Sequence, residues 1–181
     1  FCAVLAIQPL RKTLDDDRDP SAPLAFASPA KAIKMIVLNT AIRRLTLTAF
    51  CLTSVQAIIL TFLIIILVQE IGIAFTLAGV IFGTAQAAGA ILRIVMGWIA
   101  DKTLGARHTL CALGIGSALA LIALTMLTSN SPLLLVALIS ILAGALSFGW
   151  NGVFLAEISS LADPKDVGAA TGGSLFFLYA G

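Results

Sequence analysis

Charged side chains are scarce in this sequence. Only 11% of its 181 residues are charged, whereas 60% are hydrophobic, and the mean hydropathy is +1.08. A soluble domain of this size needs a charged surface, and from Leu45 onward the chain carries too few charges to cover one. The lipid bilayer must then be the outer solvent of the folded chain. We therefore predict an all-α, polytopic membrane protein, a bundle of transmembrane helices.

Histidine and cysteine are also few, and this scarcity excludes several kinds of site. His108 has no second ligand nearby, and the cysteines are isolated in apolar segments, without metal-ligand spacing: Cys2, Cys51 and Cys111. The sequence has no cluster of His, Asp, Glu or Cys that could form a catalytic site. It also has no Gly-rich loop ending in Lys-Ser/Thr, the kind that binds the phosphates of ATP. We expect no enzyme, no catalytic residue, no metal and no cofactor. The net charge of +2 follows membrane orientation and indicates no nucleic acid partner.

Hydropathy divides the chain into three parts. Residues 1–10 are apolar but too short to cross a bilayer, so we interpret them as the end of a preceding transmembrane helix. Residues 11–44 start with a proline-rich, mixed-charge run. They end with basic and apolar residues that suit an amphipathic helix at the membrane surface or a plain basic flank. Residues 45–181 form the transmembrane bundle, with predicted spans at 45–68, 75–99, 110–127, 133–161 and, in part, from 167 onward.

Basic residues occur on alternate loops. Lys and Arg lie in the first linker, in the loop 101–109 and at Lys165, whereas the loops 69–72 and 128–132 contain none. By the positive-inside rule the former loops are cytoplasmic and the latter are external. The central loop is therefore predicted to be cytoplasmic, and we expect an integral protein of a bacterial inner membrane.

The stretch from Gly97 to Arg107 resembles the signature loop of the major facilitator superfamily. The superfamily pattern is Gly, three residues, Asp, Arg or Lys, one residue, Gly, then basic residues. Gly97, Asp101 and Lys102 match in place. Gly105 and Arg107 stand one position later than the pattern has them. The resemblance implies helices seven to eleven of a twelve-helix secondary transporter, preceded by the end of helix six, which moves a small solute by alternating access against a missing N-terminal half.

Two charged residues lie inside predicted spans. At about 1.5 Å per residue, Arg93 lies roughly 12 Å before Asp101, and Glu157 lies roughly 9 Å before Asp163, both counted from the cytoplasmic side. A charge at such depth needs a partner or water. We expect Arg93 and Glu157 to form an ion pair at a cytoplasmic gate; separate snorkelling, or binding of a substrate anion or proton, is the alternative. By resemblance, Asp101 would latch one conformation, with Lys102 beside it.

Four polar or aromatic residues lie near the middle of predicted spans. Gln56 and Gln86 carry amides, which in hydrocarbon must face another helix or a water-filled cavity. Trp150 and Asn151 lie between two glycines, where a helix is weak and can bend. We predict Gln56 and Gln86 as substrate-cavity candidates, and the resemblance implies the same role for Trp150 and Asn151, because the tenth helix lines the central cavity in the superfamily. The alternatives are hydrogen bonds to a neighbouring helix and a packed kink.

Five glycines are predicted to let helices approach closely. Small residues at four-residue spacing make a smooth helix face. The predicted packing glycines are Gly79, Gly83, Gly97, Gly168 and Gly172.

Three functional classes remain at this stage. The favoured class is a fragment of a secondary transporter, with the bilayer, the other half of the transporter and an unidentified solute as partners. Protons are a candidate coupling ion, resting only on Glu157 and Asp101. A membrane anchor without transport activity and a membrane-embedded enzyme are the alternatives.

Overall fold

The computed structural model describes residues 29–163 and 166–179, and it is helical almost throughout. The described part contains no β-strand. Short π-helical segments extend α2 over Ile66–Glu70 and α3 over Ala100–Leu104. The α-helices are α1 (Pro29–Leu38), α2 (Thr40–Ile65), α3 (Phe75–Ile99), α4 (Gly105–Thr125), α5 (Leu133–Phe148), α6 (Asn151–Leu161) and α7 (Val167–Tyr179). The predicted all-α class is confirmed.

Some predictions lie outside the described residues. These are the apolar segment 1–10, the charged linker as far as residue 28, Cys2 and Lys165.

Three continuous helical stretches are long and apolar enough to cross a membrane: Thr40–Glu70, Phe75–Thr125 and Leu133–Leu161. The last helix, Val167–Tyr179, is apolar but shorter. The 51-residue stretch Phe75–Thr125 covers the predicted span 75–99 and all but the last two residues of the predicted span 110–127. Residues 29–163 and 166–179 therefore offer four crossings if this long stretch folds back on itself.

The long stretch does reverse, at Gly105. The backbone there has φ 73° and ψ 155°, a conformation that favours glycine. Ala85, before the reversal, packs against Gly144, and Gly116, after it, packs against Leu146. In a straight helix residues 85 and 116 would be about 46 Å apart, yet both meet the same part of α5. Helices α3 and α4 therefore run in opposite directions against α5.

Helix α5 packs most tightly against α3. A Cβ atom added to Gly144 would lie 2.7 Å from the Cβ of Ala85, and one added to Gly89 would lie 2.6 Å from the Cβ of Phe148. Residue numbers rise together along both helices, so α3 and α5 are parallel. Glycine is needed at these two positions because any side chain would collide with the facing helix.

The five glycines predicted to pack helices do not do so within the described chain. A Cβ atom added to any of them would meet nothing within 4 Å. Four-residue spacing indicates a smooth helix face, but the spacing does not say what lies opposite. The glycines that make close contacts are instead at positions 89, 116, 144, 149 and 152.

The basic segment before the first span divides into two helices at Asn39. The Asn39 Oδ1 accepts hydrogen bonds from the backbone N–H groups of Ala41 (3.0 Å) and Ile42 (3.3 Å), which starts α2. The Arg43 Nη1 donates to the carbonyl of Val37 at 2.7 Å, which closes α1. Helix α2 therefore begins at Thr40, five residues before the predicted span, and includes the basic residues 43 and 44.

Two apolar clusters fill the bundle, one in each half of the helices. One contains Ile36, Ile42, Leu45, Ala49, Leu52, Leu110, Leu113, Trp150, Val153, Phe154, Ile158, Ala170 and Leu178. The other contains Ile59, Leu63, Leu67, Ile71, Ala78, Ile81, Ala120, Leu124, Val136, Ala143 and Phe148. Helices α2, α4 and the α5–α6 pair pass from one cluster to the other, so a boundary crosses the middle of the bundle.

Candidate functional site

The helix formed by α5 and α6 is interrupted at this boundary. Helix α5 ends at Phe148 and α6 begins at Asn151, while Gly149 and Trp150 between them keep right-handed helical dihedral angles. Phe154 N–H donates to the Trp150 carbonyl at 3.0 Å, at the start of α6. The interruption is thus a local loss of regular helix without a change of chain direction. It lies where the sequence places two weakening glycines.

Three of the four predicted cavity residues meet at the interruption. The Gln56 Oε1 accepts a hydrogen bond from Trp150 Nε1 at 3.1 Å and one from Asn151 Nδ2 at 3.3 Å. Trp150 is fully buried, whereas Gln56 and Asn151 are half-buried. A buried indole N–H needs an acceptor, and the amide oxygen of α2 supplies it. We call Gln56, Trp150 and Asn151 the amide cluster.

The amide cluster keeps unused hydrogen-bonding groups. Within the described chain the Gln56 Nε2 and the Asn151 Oδ1 have no hydrogen-bond partner. Neither atom is among the fully buried unpartnered ones, which are the hydroxyls of Ser117 and Ser140. One amide donor and one amide acceptor are therefore available to another molecule.

The amide cluster lies at the level where the two apolar clusters meet. On α2, Gln56 lies between Leu52 of one cluster and Ile59 of the other. Ser117 is the corresponding polar residue on α4, and its buried hydroxyl has no partner among the described residues. Sequence reasoning missed Ser117, because a lone serine in an apolar helix gives no distinguishing signal.

Gln86 does not join the amide cluster. It is half-buried on α3, and its side chain makes no hydrogen bond to any residue that the structure describes. It lies in a row of small and polar residues with alternating four- and three-residue spacing, which places them on one helix face. This row, the α3 stripe, consists of Gly79, Gly83, Gln86, Ala90, Arg93 and Gly97.

Arg93 caps the end of α5. Its Nη2 donates to the carbonyl of Phe148 at 3.4 Å, and its side chain passes over Gly152, where an added Cβ would lie 3.1 Å from the Arg93 Cγ. The last carbonyls of a helix lack intrahelical donors and form the negative end of the helix dipole. A cation from α3 therefore stabilises the interrupted helix.

The expected ion pair between Arg93 and Glu157 is not formed in the described chain. Arg93 lies level with Gly152, so Glu157 is five residues, or about 7.5 Å, further toward the end of α6. Side chains on a helix also lean toward its N-terminus, and Arg93 reaches back to Phe148, away from Glu157. In the sequence analysis the depth of each residue was counted from its own loop, and this offset between the two parallel helices was therefore missed.

The other gate candidates lie at the end of α3. Asp101 and Lys102 are exposed on the π-helical turn Ala100–Leu104, and no described residue binds either side chain. Gly97 is half-buried one turn earlier. The latch role of Asp101 stays a prediction. Among residues 29–163 and 166–179 no three His, Cys, Asp or Glu side chains group as a metal site.

Comparison with known families agrees with this architecture. The family model described as Major Facilitator Superfamily matches residues 1–181, the whole chain. Comparison with curated proteins and with solved structures gives no significant match. With its apolar helices, its signature loop and a family match over its full length, this integral membrane protein belongs to the Major Facilitator Superfamily, a superfamily of transporters.

Proposed function

We propose that the chain is the C-terminal half of a secondary transporter, and that it moves a small polar solute by alternating access past the amide cluster. The observation that carries this proposal is the bonding of Gln56 to Trp150 and Asn151 at a helix interruption. The amides lie between two apolar clusters. An amide N–H or C=O group without a hydrogen-bond partner costs free energy in such surroundings unless water or a solute reaches it. One free donor and one free acceptor match a hydrogen-bonding solute.

The interruption supports movement at the same place. Trp150 and Asn151 belong to the α5–α6 pair, while Gln56 belongs to α2, so two hydrogen bonds join the helices across the boundary. A solute that bonds to the Gln56 oxygen replaces one of these bonds at little net free energy, because hydrogen bonds are exchanged rather than lost. Only one hydrogen bond then joins the helices across the boundary, so they are held less firmly relative to each other.

The α3 stripe supports the proposal that a second half of the transporter packs here. Helix α3 uses one face against α5, and a second face carries exposed large apolar residues, among them Val80, Ile91 and Ile94, that suit lipid. The stripe is a third face, with open space over Gly79 and Gly83. Small residues allow another helix to approach closely, and polar residues favour contact with water. The partner half or an aqueous path is therefore a better neighbour for this face than lipid. The exposed Gly168 and Gly172 give α7 a similar face.

Charged residues near the loop ends supply the proposed gate. Arg93, Asp101, Lys102 and Glu157 would lie in the cytoplasmic half if the basic loops face the cytoplasm of a bacterial inner membrane. Glu157 is half-buried, and no described residue binds its carboxylate. This isolation favours Glu157 as the proton carrier if transport is proton-coupled.

A membrane anchor is the second candidate, because the hydrogen bonds of Gln56 also serve to lock two helices together. Transport of a defined solute mixture separates the two candidates. The full-length protein is reconstituted in liposomes, a proton gradient is imposed, and the mixture of sugars, amino acids, nucleosides and organic acids is added outside. Mass spectrometry then measures the vesicle contents.

We expect at least one solute to accumulate above the level in protein-free vesicles. Gln56→Leu should reduce this accumulation about tenfold, because it removes the acceptor of two hydrogen bonds. Ser54→Ala is the matched control, since Ser54 is exposed on the same helix and bonds only to the carbonyl of Phe50 in its own helix. If no solute accumulates, the anchor is the better account. If solutes accumulate and Gln56→Leu takes them up as the wild type does, transport stands but the amide cluster does not contribute to it.

A further inference from the structure

We propose that the corner between α1 and α2 binds the phosphate of an anionic phospholipid, with three cations around it: Lys34, Arg43 and Arg44. This inference concerns the lipid around the protein and does not depend on the proposed transport function. All three side chains are exposed, on either side of the point where α1 and α2 meet at Asn39. No carboxylate of the described chain pairs with any of them. A group of cations without acidic partners attracts a negatively charged ligand.

Arg43 joins the two helices and keeps donors for a ligand. Its Nη1 donates to the carbonyl of Val37 at 2.7 Å, which brings its guanidinium to the C-terminal end of α1. Only one of its five N–H groups is used within the described chain. Lys34 and Val37 are three residues apart and so are neighbours on the surface of α1. A phosphate at this corner can accept paired hydrogen bonds from the guanidinium fork beside a second positive charge.

The exposed face of α2 changes from cationic to apolar within one helical turn. Leu47 follows Arg43 by four residues and Arg44 by three, so it is their neighbour along the helix surface. Its side chain is 60% exposed. Because α2 crosses the membrane, Leu47 lies deeper than the two cations. A phospholipid has the same order of groups, a charged headgroup followed by acyl chains, whereas a soluble phosphate has no apolar part.

Helix α1 presents apolar residues beside its own cation. Val37 and Leu38 are 52% and 68% exposed, and both are close to Lys34 on the helix surface. The opposite side of α1 packs against α7 and the start of α2, with Ile36 buried in their apolar cluster. A helix held in this way, with exposed apolar and basic residues, suits the boundary between headgroups and acyl chains. This arrangement favours the membrane-surface helix over a plain basic flank.

The charge of the corner selects among lipids. Phosphatidylglycerol carries one net negative charge, whereas phosphatidylcholine carries a cation beside its phosphate and is neutral. Three cations therefore attract the first lipid and gain little from the second. Each Lys or Arg near an anionic lipid surface strengthens binding by about fivefold.

Fluorescence quenching at Leu47→Cys tests the proposal at the corner itself. The full-length protein without its other cysteines is labelled with bimane at position 47 and reconstituted with brominated phosphatidylglycerol or brominated phosphatidylcholine, each mixed with unbrominated lipid. The quenching gives the relative affinity of the two lipids at the label. We expect phosphatidylglycerol to be preferred at least about tenfold. A label at Leu119→Cys, exposed on α4 about 21 Å from the start of that helix, should show no preference.

Charge variants identify the residues responsible. Arg44→Gln should lower the preference about fivefold, and adding Lys34→Gln and Arg43→Gln should abolish it. Arg43→Lys combined with Arg44→Lys should keep most of it, because both charges remain. Arg107→Gln is the matched control, since Arg107 is exposed in another basic segment and its side chain binds no described residue. It should keep the full preference. Circular dichroism checks that each variant is folded.

Three results would overturn the proposal. Without a preference at position 47, the acidic residues at positions 15–17 and 19 of the linker are the better partners of these cations. Equal losses in Arg107→Gln and Arg44→Gln would mean that the effect is not local. If neither lipid quenches the label, the other half of the transporter covers the corner.

Glycerol phosphate separates a lipid site from a site for soluble phosphate. It is added to the labelled vesicles and compared with sodium chloride at the same ionic strength, because salt alone screens the exposed cations. We expect it to reduce the contact with phosphatidylglycerol no more than chloride does. A larger reduction would show that the corner binds soluble phosphates, against the proposal.

Discussion

Gly144→Ala tests one of the two closest contacts between α3 and α5. The added Cβ would lie 2.7 Å from the Cβ of Ala85 and 3.6 Å from its Cα. Carbon atoms in contact prefer a separation of about 3.5–4.0 Å, so α3 and α5 must move apart by about 1 Å. Overpacking of this kind costs about 1–3 kcal/mol in free energy of unfolding.

The gain in helix propensity must be subtracted from this cost. Alanine is better than glycine inside a helix by about 1 kcal/mol, so we expect a net loss of about 1–2 kcal/mol. Gly83→Ala is the control, because a Cβ there meets nothing within 4 Å and only the propensity gain applies. We expect this control to be stabilised by up to about 1 kcal/mol.

Unfolding of the chain by SDS in mixed micelles, followed by circular dichroism, measures both variants. The difference between them isolates the collision with Ala85, since both gain the same propensity. Equal stabilities, or a Gly144→Ala variant more stable than Gly83→Ala, would refute the parallel register of α3 and α5.

Two smaller predictions concern polar contacts and use the same unfolding assay. Asn39→Ala should lower the free energy of unfolding by about 0.5–2 kcal/mol, because it removes the side-chain cap of α2; no change would mean that α1 and α2 are not separated there. Thr46→Val should lower it by about 1–3 kcal/mol, because it leaves the buried hydroxyl of Ser174, now 2.9 Å from the Thr46 hydroxyl, without a partner. Adding Ser174→Ala should restore most of the loss, and a further loss would contradict this assignment.

The bounds of a helix were predicted well from the sequence where they coincide with the ends of an apolar segment. The second span was predicted at 75–99, and α3 is Phe75–Ile99. The first span was predicted to start at 45, and helix α2 starts earlier, at Thr40, where the side chain of Asn39 caps it. Helix boundaries depend on such local hydrogen bonds, which hydropathy does not report.

The residues of the amide cluster were predicted from the sequence, but the hydrogen bonds between them were not. An amide in a membrane span needs a partner, and this rule selected Gln56 and Gln86, whereas Trp150 and Asn151 were selected because they lie between two glycines. The rule did not show that Gln56 binds residues 94 and 95 positions away, or that Gln86 stays apart. The register between packed helices decides such contacts, and between α3 and α5 this register is set by which glycines face which side chains.

The central claim is that the amide cluster faces an aqueous solute path. Labelling of Asn151→Cys tests it most directly, in the full-length protein without its other cysteines and with a membrane-impermeant maleimide added to either side of the vesicles. We predict labelling from both sides, slowed by a transported solute, and none at Leu119→Cys, which lies exposed on the apolar face of α4. If position 151 is as unreactive as position 119, the amides only join helices and the account is contradicted.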